Sequence, residues 1–214
     1  MRFPSRFSDP HFRHFIAQLL IIIALCVISY FWIDRPLAIF MSHINGLGTT
    51  TLGNYNLTNN LTAMAYALIL IVMGFYAYMR LVNHKSTRLI ATTGGISFAV
   101  PIAFFVKTEL QYILGRTPVR NDGSHTLLFV KHPQAYGLHL FAGGGSFPSG
   151  HMCVFTALSL MVSFYYPKLK PYMILTLGAL AFILVFDNYH FLSDVIAGTY
   201  LGFIVAKITY KLET

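Results

Sequence analysis

Residues 148–194 read PSGHMCVFTALSLMVSFYYPKLKPYMILTLGALAFILVFDNYHFLSD. Two apolar runs, Met152 to Tyr166 and Tyr172 to Phe186, lie between two short polar strings. The first string is Ser146-Phe147-Pro148-Ser149-Gly150-His151; the second is His190-Phe191-Leu192-Ser193-Asp194. One run leaves a membrane edge and the other returns to it. That hairpin puts both strings, and both histidines, on the same face of a bilayer.

The rest of the chain supports the membrane reading. It has 214 residues, 56% of them hydrophobic and 10% charged, with mean hydropathy +0.62. Soluble domains carry about 25% charged residues, so this chain has too few charges to cover a water-facing surface. A spanning helix needs roughly 20 mostly apolar residues. Six stretches qualify or come close: Phe15 to Ile33, Ala63 to Met79, Leu89 to Val106, Met152 to Tyr166, Tyr172 to Phe186 and Val195 to Ile208. The expectation is an all-α, polytopic membrane protein, a six-helix transmembrane bundle formed by one domain over residues 1–214. Asp34 marks the end of the first span, which has no small-residue cleavage site and reads as a retained span. Pro101 predicts a kink in the third. Asn45 to Thr62, rich in Asn, Thr and Gly, reads as an external loop; its Asn56-Leu57-Thr58 and Asn60-Leu61-Thr62 match glycosylation acceptors, a pattern common by chance.

The formal charge is +8 and the pI near 9.6. Nucleic-acid binding is one reading of a basic chain. Basic residues that flank and orient spans explain it better. Arg2, Arg6, Arg13, Arg80, Lys85, Arg88, Lys168, Lys170, Lys207 and Lys211 fall on one side, and Arg35, Lys107, Arg116, Arg120 and Lys131 on the other. That asymmetry places both termini in the cytoplasm and the long loop Thr108 to Phe147 outside, with His151, His190 and Asp194. Cys26 and Cys153 read as buried small apolar residues at different depths, not as a disulfide.

The two strings carry the chemistry. Ser149-Gly150 opens a helix, whose first amides and positive dipole end attract phosphate. An ordinary helix cap beside a chance histidine is the plain alternative for this tetrapeptide alone. His190 and Asp194, spaced i, i+4, share a helix face. A carboxylate on one imidazole nitrogen fixes the tautomer and leaves the other free for attack. Ionisable residues at a span are costly and usually functional, and the chain has seven acids in all. Arg116, after Gly115, can grip two phosphate oxygens. Lys107, at the end of the third span, either snorkels to the interface or contacts phosphate. Arg120 reads as a solvated loop charge. Two histidines and an aspartate also raise zinc, but three ligands would leave the Ser-Gly turn unexplained.

These residues resemble the type 2 phosphatidic acid phosphatase (PAP2) superfamily of membrane phosphatases. Pro148 to His151 match its second motif in full. His190 and Asp194, followed by Val195-Ile196-Ala197-Gly198, match the back half of its third, and the motifs fall in the family's order among the spans. Two positions depart. Gln111 aligns where the family has Lys, with Lys107 one turn earlier, and Arg116 is separated from Pro118 by Thr117. Leu184 stands where the third motif has Arg, and no Lys or Arg lies between Lys170 and Lys207.

The resemblance implies a metal-independent, cofactor-free phosphatase of a bacterial inner membrane, its site facing the periplasm or exterior. His190, oriented by Asp194, attacks phosphorus and forms a phosphohistidine. His151 protonates the leaving group. Arg116, Lys107 and the amides of Ser149 and Gly150 hold the equatorial oxygens, and water releases phosphate. The expected partners are membrane lipids and a lipid phosphate: phosphatidic acid, phosphatidylglycerol phosphate, undecaprenyl pyrophosphate or lipid A. The alternatives are a degenerate, non-catalytic phospholipid-binding member and a lipid phosphotransferase.

Overall fold

The computed structural model describes residues 10–45, 55–82, 87–119, 127–132, 134 and 136–213. Every regular element among them is helical. The chain opens with α1 (Pro10–Ile28), passes without a break through a π-helical turn (Ser29–Ile33) and continues as α2 (Asp34–Asn45). Then follow α3 (Tyr55–Val82), α4 (Arg88–Leu114), the short α5 (Leu128–Lys131), α6 (Gly150–Tyr165), a 3-10 turn (Pro167–Leu169), α7 (Lys170–Phe186) and α8 (Leu192–Glu213). Helices suit a bilayer because each satisfies its own backbone polar groups.

Four helical stretches among the described residues are long and apolar enough to cross a membrane: Phe12–Ile44, Arg88–Leu114, Pro167–Phe186 and Leu192–Leu212. Ile69–Val82 of α3 and Gly150–Tyr165 are apolar but shorter. All six expected spans therefore lie on helices, four of them at crossing length.

Two boundaries differ from expectation. Asp34 does not end the first helix; it is buried at 1% exposure inside a helix that runs on. Its charge is held by protein partners, so it has no need of water. The expected loop Asn45 to Thr62 is shorter, because α3 begins at Tyr55 and takes in both acceptor tripeptides. The remainder of that loop, residues 46–54, lies outside the described residues, as do Arg120 and the basic residues Arg2, Arg6 and Lys85. Pro101 sits within α4, which continues through it.

α4, α6 and α8 form the centre. Ile96, Ala99, Val100 and Ala103 of α4 meet Cys153, Val154, Ala157 and Met161 of α6 and Val205 and Ala206 of α8. Half of these are small, four alanines and a cysteine; lipid gives no hydrophobic drive between helices, and close backbone approach supplies packing instead. A Cβ at Gly202 would overlap the carbonyl oxygen of Cys153, and one at Gly198 that of Ser149. By contrast α1 and α7 turn Leu20, Ile21, Ile174 and Leu175 outward, as lipid-facing helices do.

At one end of the bundle Arg88 of α4 lies 5.8 Å from the ring of Tyr166, just past α6. The opposite end of α4 therefore meets the start of α6. There α4 stops at Gly115, in the left-handed region at φ 52°, where a Cβ would overlap the carbonyl oxygen of His139. The following loop folds back over this end: Val119, Leu127 and Phe129 pack with Ala38 of α2 and Phe191 ahead of α8.

Gly202→Leu is expected to break the α6–α8 contact, with a loss of at least about 1–3 kcal/mol, the cost of overpacking a tight core. Thermal unfolding in detergent measures it; an unchanged midpoint would contradict this helix contact.

Candidate active site

Three chain segments far apart in sequence converge beneath the end of α4. Ser149, the N-cap of α6, accepts from the amide of Met152 at 3.3 Å. Its own amide donates to the backbone carbonyl of Asp194 at 2.9 Å, locking the two polar strings together. The Ser149 amide is thus engaged by the chain, unlike the expectation that it faces phosphate. Gly150 begins the helix, where amides lack intrahelical partners.

The rings of His151 and His190 stand 6.0 Å apart between centroids, at 67°. Tyr189 lies against both, at 5.3 Å from His151 and 5.2 Å from His190. Nδ1 of His190 faces Oδ2 of Asp194 at 3.4 Å, long for a hydrogen bond, with no closer partner. The one-turn spacing read from the sequence does bring this pair together. Asp194 is fully buried, and its Oδ2 also accepts from the amide of Phe191 at 3.1 Å.

Lys107 reaches the same place from α4. Its side chain passes 3.2–3.3 Å from where a Cβ on Gly150 would stand. A Cβ on Gly150 would press on this lysine and shift its side chain by a few tenths of an ångström. Nζ donates to Oε1 of Gln111 at 3.2 Å, and Nε2 of Gln111 donates to the carbonyl of Pro148 at 2.9 Å. Gln111, which replaces the expected lysine, holds both Lys107 and the first string, at Pro148.

Arg116 departs most from expectation. It is 1% exposed, and its two terminal nitrogens are bonded to protein. Nη2 donates to Asp34 Oδ2 at 2.7 Å, while Nη1 donates to Ser193 Oγ at 2.5 Å and forms an ion pair with Asp194 Oδ1. Its guanidinium centre lies 4.2 Å from the ring centroid of Phe191 and 5.0 Å from that of Tyr30. Burial works against its charge, but Asp194 and Asp34 outweigh that, and its pKa is raised. Tyr136, which donates to the carbonyl of Tyr30 at 2.6 Å, is pushed up to about 12, first by burial. Arg116 grips two carboxylates, not an open anion site.

Three residues were given no part in the site from the sequence: Asp34, Ser193 and Gln111. Asp34 accepts four bonds: Ser29 Oγ at 2.8 Å and the Ser193 amide at 3.1 Å on Oδ1, Arg116 and Ser193 Oγ on Oδ2. The available signal was an acid directly after an apolar run in a chain with seven acids. Leu184, at the position of the missing arginine, is 4% exposed and packed with Met152 and Val195. An arginine there would enter an apolar cluster.

The family resemblance read from the motifs is borne out: residues 116–214 match the model of the PAP2 superfamily. The fold resembles a transmembrane PAP2-type phosphatidylglycerolphosphate phosphatase from Bacillus subtilis, at a TM-score of 0.50 and 16% identity, over 92% of this chain and 94% of that one. No curated protein sequence matches the chain. With its apolar helices this is an integral membrane protein.

Arg116→Ala is expected to destabilise the fold by about 3–5 kcal/mol, because it leaves buried carboxylates unpaired. Lys107→Ala should leave the unfolding midpoint nearly unchanged. Equal midpoints for wild type and both variants in detergent would contradict this division.

Proposed function

We propose that this chain is a membrane lipid phosphatase that works through a phosphohistidine at His190. The observation that carries the reading is the meeting of His151 and His190 above Asp194, with Lys107 alongside. Nδ1 of His190 turns toward the carboxylate, so Nε2 remains for phosphorus. Nε2 forms the P–N bond as the P–O bond to the lipid breaks, and His151 gives that oxygen its proton. His151, now neutral, takes a proton from water as the water attacks phosphorus, and the P–N bond breaks to return the electron pair to His190. Lys107 and the opening amide of α6 balance charge on the equatorial oxygens. Positioning and charge stabilisation supply most of the catalysis in phosphoryl transfer.

In this reading Arg116 acts through Asp194, and does not hold phosphate. The substrate is a lipid carrying a terminal phosphate or pyrophosphate, such as phosphatidic acid, phosphatidylglycerol phosphate, undecaprenyl pyrophosphate or lipid A. Exposed Leu138, Leu140 and Phe141 support this, since their loop is pinned to the end of α4 by the bond from the Phe141 amide to Ile113. The location proposed is a bacterial inner membrane with the site facing outward, supported by ten basic residues on the cytoplasmic side against five outside.

Purified protein should release inorganic phosphate from at least one lipid of that panel. His190→Ala should lower the rate by at least about 10³-fold, as loss of a nucleophile does. His151→Ala should cost about 10²–10⁴-fold, more with poorer leaving groups. Equal rates for wild type and His190→Ala, at matched folded protein, would refute the mechanism. Lipid binding without turnover by wild type would establish a binder instead.

Orientation is tested separately. An alkaline phosphatase fused at the C-terminus, which is active only outside the cytoplasm, should stay silent. A strong signal would reverse the topology.

A further inference from the structure

We propose that Asp34 is a positioning residue for the His190–Asp194 pair, acting by sharing Arg116 and by holding Ser193. This rests on His190 being the nucleophile. Asp34 lies where the π-helical turn joins α2, 160 residues before Asp194 in the chain. Its one local bond is from Ser29, and the neighbouring Phe31 and Trp32 are exposed at 66% and 67%, as lipid-facing residues are. Asp34 instead turns inward and is saturated by four bonds from Ser29, Arg116 and Ser193.

The charge count gives this a function. Arg116 alone against Asp194 would be a neutral pair, and the pull of Asp194 on the Nδ1 proton of His190 would be largely cancelled. With Asp34 present, one cation is divided between two carboxylates. The cluster keeps a net charge of −1, and Oδ2 of Asp194, the oxygen not bonded to Arg116, faces His190. Ser193 adds a geometric hold. Its amide and hydroxyl both donate to Asp34 while its hydroxyl accepts from Arg116, so the first turn of α8 is fixed beside Asp194.

The other charged or titratable groups near His190 come from each neighbouring element: His151 of α6, Lys107 of α4, Tyr189 of its own loop, and Arg116 of the loop after α4. Of these, Arg116 is the one bonded to Asp34. Removing the Asp34 charge gives Arg116 wholly to Asp194, and the imidazolium of His190 loses support.

The test is the kcat–pH profile of lipid phosphate release for wild type, Asp34→Asn and Asp34→Asn/Arg116→Gln, with His190→Ala as the check on the underlying mechanism. In Asp34→Asn the acid-side midpoint should fall by on the order of half a pH unit or more, the effect expected when an opposite charge is screened, with kcat lowered about tenfold and KM little changed. In the double variant Asp194 faces His190 with no cation, and the midpoint should lie above that of wild type. Asp34→Asn keeps Arg116 paired with Asp194 and leaves no buried charge alone, so it is the variant expected to fold, whereas the double variant leaves Asp194 without its cation and is read only at matched folded protein. The two variants must move the midpoint in opposite directions: a double-variant midpoint at or below wild type would overturn the proposal. If Asp34→Asn folds, an unmoved acid-side midpoint makes Asp34 purely structural. Equal activity of wild type and His190→Ala would refute the mechanism itself, a different failure.

Discussion

One guanidinium shared by two buried carboxylates organises this protein. Each ion would be costly alone: moving a charge out of water costs several kcal/mol even after relaxation. The cost is met only because every partner is present at once. Arg116 comes from the loop after α4, Asp34 from the first helix, and Ser193 and Asp194 from the start of α8. No two of these elements can be displaced without leaving a buried charge unpaired. The interaction therefore does for the end of the bundle what Gly198 and Gly202 do along its middle, where close packing sets the α6–α8 distance. The aromatic rings of Phe191 and Tyr30 complete the enclosure and exclude water from it.

The π-helical turn at Ser29–Ile33 explains how a lipid-facing helix supplies one of these charges. A π turn carries one extra residue, which rotates all that follows by about 100° relative to a regular α-helix. Such bulges cluster at functional sites. Here the residue brought inward is Asp34, while Phe31 and Trp32 remain exposed. The serine that begins the turn donates to the aspartate that follows it, so the irregular turn and the buried charge stabilise each other.

How much of this was legible in the sequence follows from the distance between partners. His151, His190 and Asp194 were legible because their signals are local: a helix start, an i, i+4 pair and the edges of two apolar runs. Lys107 was legible because a span ended on it. The six apolar stretches were legible from hydropathy alone, although their ends were not. Asp34 was misread as the end of a span because its partner Arg116 lies 82 residues away, and no local pattern announces such a pair. Arg116 was misread for the complementary reason. An arginine in a glycine-rich loop near two histidines has the right chemistry for phosphate, and only the fold shows that two carboxylates reach it first. Ser149 repeats the lesson on a smaller scale, since its amide meets the carbonyl of Asp194.

The use of Arg116 inside the protein changes what must bind the substrate. Leu184 is apolar and enclosed where the family's third motif has arginine, and Arg116 has its terminal nitrogens occupied. Lys107, oriented by Gln111, then carries most of the fixed positive charge that meets a phosphate in the proposed site. A single ammonium gives a point charge, not the two-pronged grip of a guanidinium. Headgroup binding on that basis is weaker and less demanding in geometry. The remaining affinity must come from elsewhere on the substrate, and the exposed Leu138, Leu140 and Phe141 beside the α4 end offer apolar surface for it. Binding energy from such remote contacts can be used to orient the reacting group. On the proposed function the lipid chain, more than the phosphate, brings the substrate to His190.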